Sequence, residues 1–399
     1  MSLSKFKTFL YPRTKNANIG FYKKYENDTE DGEVLEAGFS RVDAGDTSGA
    51  TVFRNGQLIE LAENEPDWDD LSGSPVLKMR PQAQNRFANF DPITGEGGAV
   101  NVTYAAKDWG LGLLLQNATE FLVTNPSPQI RHGGTCVGAV NTISFYVEFA
   151  DGLAPVIGTD ISARISDEGI SAANTIVENV SGTSIYRIIA TKTNCTDGSP
   201  FNGVTRASGS TRSFVASGYT LVQGDKYLGD IPSKAGQLTR SSNSFEFTDL
   251  VTKGVIGAGN VFSLYYEYKV ATLSDGFLCT IQVNGNNFIG LRQISQRVTI
   301  SFRSNAGSVF TLTMTGVQFA LGNVLKVGLV IDPNNANTML ISVNGVTRLT
   351  TAVDISAMAQ LTTFTSKDGL GGIGIANDII KSSLVPIRLT EAQINAATA

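Results

Sequence analysis

Met339-Leu340-Ile341-Ser342-Val343-Asn344-Gly345-Val346-Thr347-Arg348-Leu349 decides the fold class. Two short runs of aliphatic and β-branched residues flank an Asn-Gly pair. Asn and Gly both tolerate positive φ, which a tight two-residue hairpin turn requires. The same signature follows Cys279 to Val283, at Asn284-Gly285. It recurs at Asn55-Gly56, between Thr51-Val52-Phe53-Arg54 and Gln57-Leu58-Ile59-Glu60-Leu61. Around these hairpins stand more short β-prone runs: Phe262 to Lys269, Val298 to Arg303, Val309 to Thr315 and Leu325 to Ile331. Earlier in the chain come Ile143 to Phe149, Ile161 to Ile165, Ile185 to Thr191 and Phe214 to Val222. Short strands punctuated by Gly, Asn, Asp and Ser clusters predict β-sandwiches. Ser144 to Phe149 does not alternate, which suits a strand buried on both faces. One helix is expected, at the C-terminus, capped by Thr390 with Glu391 in its first turn and Ile394 inward.

The expected architecture is all-β: an N-terminal extended arm and hairpin module followed by two β-sandwich (jelly-roll) domains. The divisions are 1–45 for the arm, 46–99 for the hairpin module, 100–232 for the first sandwich and 233–399 for the second. Asp230 to Gly236 reads as a linker. A chain of 399 residues is too long for one ordinary core. Charged residues make up 17%, below the roughly 25% usual in soluble chains. Apolar content of 42% and a net charge of −5 exclude wholesale disorder and argue against nucleic acid as partner. No run approaches the apolar length that spans a bilayer, and the N-terminus has no apolar signal core. The expectation is a chain with no membrane insertion, made in a cytoplasm.

The charge distribution singles out the start. Lys5, Lys7, Arg13, Lys15, Lys23 and Lys24 have no acid among them, and an acidic block from Glu26 to Glu36 follows. Phe6, Phe9, Leu10, Tyr11, Ile19, Phe21 and Tyr22 are interleaved. Apolar residues in a terminal arm want something to bury against. Lys5, Phe6, Lys7, Phe9, Tyr11, Arg13, Lys15, Phe21 and Tyr22 are therefore the candidate attachment residues. A solvated terminal segment is the alternative.

Catalytic chemistry is mostly missing. His132 is the single histidine, in a polar stretch from Gln129 to Thr135 that reads as an exposed loop. Asp67, Asp69 and Asp70 cluster beside Trp68, as a sugar-holding wall or, more simply, a solvated turn. Asp249, Asp275, Asp332, Asp354 and Asp378 are scattered singly, without the dense ladder a calcium loop needs. Cys136, Cys195 and Cys279 show no zinc spacing. Cys136 and Cys195 pair only if one domain brings them together; reduced buried thiols are the simpler expectation. Asp368 to Gly374 is glycine-rich but lacks the strand-to-helix context of a phosphate loop. Trp109 with Tyr104, and the pairs Phe145-Tyr146 and Tyr265-Tyr266, can stack on sugars, although aromatics in sandwiches are more often core. No cofactor is expected.

Two stretches resemble a known family. Ala50 to Glu60, Asn64-Glu65-Pro66-Asp67-Trp68 and Ser74 to Asn85 keep the order and spacing of a module found in fibre proteins of tailed phages and prophages. Ser74 stands where that family usually has Cys, Ala83-Gln84 replace Arg-Thr, and Trp68 replaces Tyr. Tyr219 to Arg240 is similar to the family's end-of-domain signature, and Pro386 to Ile394 to the close of a concanavalin-like or laminin-G-like domain. The resemblance implies a carbohydrate-binding-like jelly roll and a lectin-like sandwich on a virion-binding N-terminus, assembled as a homotrimer. Implied partners are other virion proteins, whether capsid, portal or tail, and host-surface glycans. A capsid head fibre or decoration protein with spacer domains is the structural alternative. A polysaccharide depolymerase is the enzymatic one, against which stands the lack of a long repetitive β-helix pattern.

Overall fold

The computed structural model describes residues 51–399, apart from 62–66, 72, 74–75, 81–82, 93–98, 113, 133, 199–201, 225–229, 234–237, 241, 305–309, 314–317, 336–337, 356 and 368–373. Before residue 51 it describes only the backbone of four strands. The fold is all-β, with a single short α-helix among the described residues.

The first sandwich pairs a six-stranded with a four-stranded antiparallel sheet. The larger runs Thr103–Ala106, Asn117–Phe121, Phe214–Gln223, Asn141–Phe149, Ile185–Lys192 and Thr175–Asn179 in spatial order. The smaller runs Gln129–His132, Asn202–Arg206, Ile161–Ile165 and Glu168–Gly169. Ile143, Phe145, Val147 and Phe149 point into the core between them. Tyr146 points the other way, into a second cluster with Phe53, Leu58, Phe90 and Trp109. The hairpin of Thr51–Arg54 and Gln57–Glu60 is thus a lid on the outer face of the larger sheet. That lid is why Ser144 to Phe149 does not alternate: both faces are covered.

The second sandwich is larger. One sheet contains Val346–Thr351, Met339–Val343, Val324–Ile331, Phe262–Lys269 and Asn377–Val385, continued by Thr8–Pro12, Ile19–Lys23 and Glu33–Glu36. The facing sheet orders Phe310–Thr313, Arg297–Arg303, Asn287–Ile294, Gly276–Asn284, Thr363–Thr365, Asn243–Phe247 and Gly38–Arg41. Leu264, Tyr266, Tyr268, Leu278, Ile300 and Phe364 fill the core. Each fully buried side chain of this kind contributes about 1.5–3 kcal/mol. The Glu391–Thr398 helix covers the outer face of the first sheet, with Ile394 fully buried against Tyr265, Val330 and Leu340. Thr390 caps it: Gln393 N donates to the Thr390 hydroxyl, and Thr390 N donates back to Gln393 Oε1 at 2.9 Å.

Two Asn-Gly turns form as expected, with φ of 52° and 76° at Asn55-Gly56 and 48° and 78° at Asn344-Gly345. The third is shifted by one residue. Asn284 still pairs with Asn287, so Gly285-Asn286 make the turn. A bulge between Gln282 and Asn284 absorbs the offset, and the Asn284 carboxamide accepts a bond from Asn286 N at 2.9 Å.

Residues 46–99 send their strands in three directions. The 51–60 hairpin covers the first sandwich. Val76–Met79 adds to the Asn377–Val385 strand of the second. Ala83–Asn85 pairs with Leu238–Arg240. In the segment read as a linker, Asp230, Ile231 and Ser233 are buried.

Candidate functional site

The sequence segments that carry the family resemblance meet in space. Asn85, fully buried, donates through Nδ2 to Tyr219 O, Ile231 O and Ser233 Oγ at 2.9–3.2 Å. Its Oδ1 accepts from Phe87 N and Leu221 N. Thr51 Oγ1 donates to Asp230 O at 2.6 Å. Asn243 Oδ1 accepts from Arg80 N at 2.6 Å, and its Nδ2 donates to Lys78 O at 2.9 Å. One carboxamide therefore clasps each flank of the Val76–Asn85 segment.

A buried charge network fills the seam between the sandwiches. Lys78, Arg80, Arg187 and Lys269 face Asp69, Glu178, Asp230 and Asp378. Arg80, 1% exposed, pairs with Asp378 and donates to Met79 O and Asn377 O at 2.9 Å each. Arg187 donates to Glu178 through Nε at 3.0 Å and Nη2 at 2.6 Å. Glu178, from the first sandwich, also pairs with Lys269 from the second. Tyr146 donates to Asp230 Oδ2 at 2.6 Å. Burial alone would raise the Glu178 carboxyl, but Arg187 and Lys269 outweigh it and hold the group far below the usual carboxylate range. Burial likewise opposes Asp69, and Lys78 and Arg187 overcome it, keeping that carboxyl below its ordinary value. A residual void of about 20 Å³ lies among Arg80, Glu178, Arg187, Lys269 and Asp378, which is room for one water.

The candidate chemistry looks different in three dimensions. His132 is a correction: it is 3% exposed and ends the Gln129–His132 strand, not an exposed loop. Its ring sits between Phe87 and Tyr219, at centroid distances of 4.4 and 4.3 Å. Burial pushes its pKa down to about 3, so it is neutral at physiological pH. Asp67, Asp69 and Asp70 do not form a wall for sugar. Asp69 is spent on Lys78 and on the N–H groups of Phe53 and Leu71, and Asp70 accepts from Asn55 N. The Trp68 side chain lies outside the described residues. Asp378 binds Arg80, Asp275 accepts from Ser295 N, and Asp332 accepts from Asn334 N. Among the described residues no three His, Cys, Asp or Glu side chains gather as metal ligands, and no helix is long and apolar enough to cross a membrane.

Aromatic rings are equally committed. Trp109 is 4% exposed, Phe145 and Tyr146 are fully buried, and Tyr265-Tyr266 lie in the second sandwich. Among the described aromatic residues only Tyr104 and Tyr186 are less than fully buried, and both pack on the first core. Of the attachment candidates, Lys5, Phe6, Lys7, Arg13 and Lys15 lie outside the described residues. Phe9, Tyr11, Phe21 and Tyr22 fall on the Thr8–Pro12 and Ile19–Lys23 strands, of which only the backbone is described. Residues 368–373 of the glycine-rich stretch also lie outside.

Sequence reasoning did not find two open recesses. An open cleft of about 510 Å³ on the first sandwich is lined by Gln57, Lys107, Asp108, Leu115 and Gln116. Asp91 shapes its wall by accepting from Gln116 N and from Asn117 N and Nδ2. Gln57 Nε2 donates to Gly110 O at 3.1 Å, and Lys107 lies 5.1 Å over the Trp109 ring and 2.6 Å from Glu148. The cleft offers carboxamides, a carboxylate and a cation. A second open cleft, about 390 Å³, is lined by Gln84, Arg86, Gln223 and Thr239.

No family model matches the chain, and no curated protein matches it. Among solved structures, a CBM40 of the Ruminococcus gnavus IT-sialidase bound to α2,3-sialyllactose is 15% identical, with 37% of this chain and 86% of that one covered and a TM-score of 0.32. Domain 4 of AbnA, a GH43 extracellular arabinanase from Geobacillus stearothermophilus in complex with arabinotriose, is 13% identical, with 40% and 73% covered and a TM-score of 0.33. Likenesses this distant identify neither a relative nor a ligand for this chain.

Proposed function

We propose that the chain is a non-catalytic virion protein, a fibre or spike attached through its N-terminal segment, whose sandwiches adhere to host-surface glycans. The observation that carries this reading is the joint. The motif segments that resemble phage fibre proteins close on one another through Asn85 to Ile231 and Thr51 to Asp230, 146 and 179 positions apart, and Asn243, just beyond them, holds Arg80. Their conspicuous polar residues weld two display domains together and leave no free carboxylate pair there for catalysis. The Gln57–Gln116 cleft is the proposed glycan site, because carboxamides and charges on a preset wall suit hydroxyl-rich ligands.

The test has two arms. Replacing Lys5, Lys7, Arg13 and Lys15 by Glu keeps the three strands that continue the second sandwich and abolishes incorporation into particles; unchanged incorporation refutes the anchor. Gln116→Ala with Asp108→Ala removes binding on a glycan array and to host cells. A blank array with folded native protein refutes adhesion and leaves the second reading, a structural spacer or decoration protein. That reading is favoured by the lack of an exposed aromatic platform among the described residues. Release of reducing ends from host capsule would instead establish a depolymerase.

A further inference from the structure

We propose that Cys136 and Cys195 are a dithiol that closes into a disulfide when the folded protein meets a small-molecule disulfide such as oxidised glutathione. The two residues are 59 positions apart in sequence, yet the fold holds their loops together. Gly198 N donates to Cys136 O at 3.0 Å, Cys195 N to Ala139 O at 2.7 Å, and Gly138 N to Asp197 Oδ1 at 2.9 Å. Both side chains belong to the core of the first sandwich. The Cys136 thiol lies 3.1 Å from Asn202 Oδ1 and 3.4 Å from Ser166 Oγ, and after burial its proximity is one of the influences that raise the Cys195 thiol. Asn202, fully buried, is fixed by donating to Gly134 O at 2.7 Å. The two cysteines are thus carried on loops pinned to each other beside both residues.

The order of events follows from exposure. Cys195 is 9% exposed, beside the exposed Thr196, Asp197 and Gly198, while Cys136 is 1% exposed. The Cys195 thiolate attacks oxidised glutathione, forming a mixed disulfide and releasing one glutathione thiolate, which takes up the proton. The Cys136 thiolate then attacks Cys195 Sγ, forming the Cys136–Cys195 bond and expelling the second glutathione. Two protein thiols lose two protons and two electrons, and one glutathione disulfide becomes two glutathiones. Burial raises the Cys195 thiol, so the reaction is slow in the folded state. Cys279 sits in the other sandwich's core and serves as an internal control.

The experiment uses the full chain, folded, incubated with oxidised glutathione or with dithiothreitol, then unfolded, alkylated and peptide-mapped. The expected result is one peptide pair joined through Cys136 and Cys195, with Cys279 alkylated. The bond closes a long loop, so the thermal midpoint of the oxidised protein rises by about 5 °C. Cys136→Ser stops at a glutathione adduct on Cys195. Should that variant misfold, the wild-type map alone decides. Three alkylated cysteines after oxidation, a link involving Cys279, or a link that forms only in denaturant each overturns the proposal.

Discussion

A single buried imidazole sets the acid response of the first sandwich. His132 has a folded pKa of about 3 against an ordinary 6.5, because burial penalises its charged form. The unfolded chain therefore takes up a proton at a pH where the folded chain does not. The resulting stability is complete above about pH 6.5 and falls by up to about 1.4 kcal/mol per pH unit down to about pH 3. We predict that urea midpoints decline across this window and that His132→Phe flattens the decline. An unchanged slope in the variant refutes the assignment. Glu178 acts in the same direction in a lower window: its folded pKa lies far below the ordinary 4.5, so its contribution is complete above about pH 4.5 and is lost progressively as pH falls below that value. Acid therefore loosens the first core before the joint. His132 was misread from sequence for a physical reason. The glycines after it mark a turn, but nothing local says that Phe87 and Tyr219, distant in the chain, close over the ring.

Elements were the most legible scale. Phe262–Lys269 and Met339–Val343 have the bounds their composition suggests, and the 390–394 cap and inward Ile394 are as the capping pattern requires. These features depend on residues within a few positions of one another. The 284–287 turn moved by one residue because a bulge, invisible in composition, intervened. The C-terminal helix offers the test at this scale. A Cβ on Gly328 would lie 2.4 Å from Ile394 Cγ1, so the helix sits on the sheet only because that position has no side chain. Gly328→Val is expected to lift the helix and speed amide exchange in residues 391–398, while Thr390→Ala costs about 1 kcal/mol and only frays its start. Equal exchange in both variants would mean that the helix is not held by this contact.

At the scale of the molecule, the joint decides whether two sandwiches behave as two bodies. Domains linked in tandem ordinarily meet through modest, partly polar interfaces and unfold separately. Here Val76–Met79 completes an edge of one sandwich, Phe87 and Phe90 are buried in clusters of the other, and Glu178–Lys269 spans both. This site was the least legible in sequence. Arg187 and Glu178 look like outward strand positions, and the carboxylates and cations that make them burial-tolerant come from segments as far away as Asp69 and Lys269. Calorimetry is expected to show one unfolding transition for the native chain. High salt leaves it single, because buried pairs are screened far less than exposed ones. Glu178→Gln takes the shared carboxylate from Lys269 and from Arg187, which keeps Asp69 at 3.9 Å and Asp230 at 3.8 Å, an effect of about 1.5–3 kcal/mol for the charged hydrogen bonds lost. That loss falls on the seam and on neither core, so it should divide the single transition into two. Two transitions already in the native chain would mean that the joint does not couple the sandwiches, and one lowered but undivided in the variant would place the coupling in the shared strands instead of the charges.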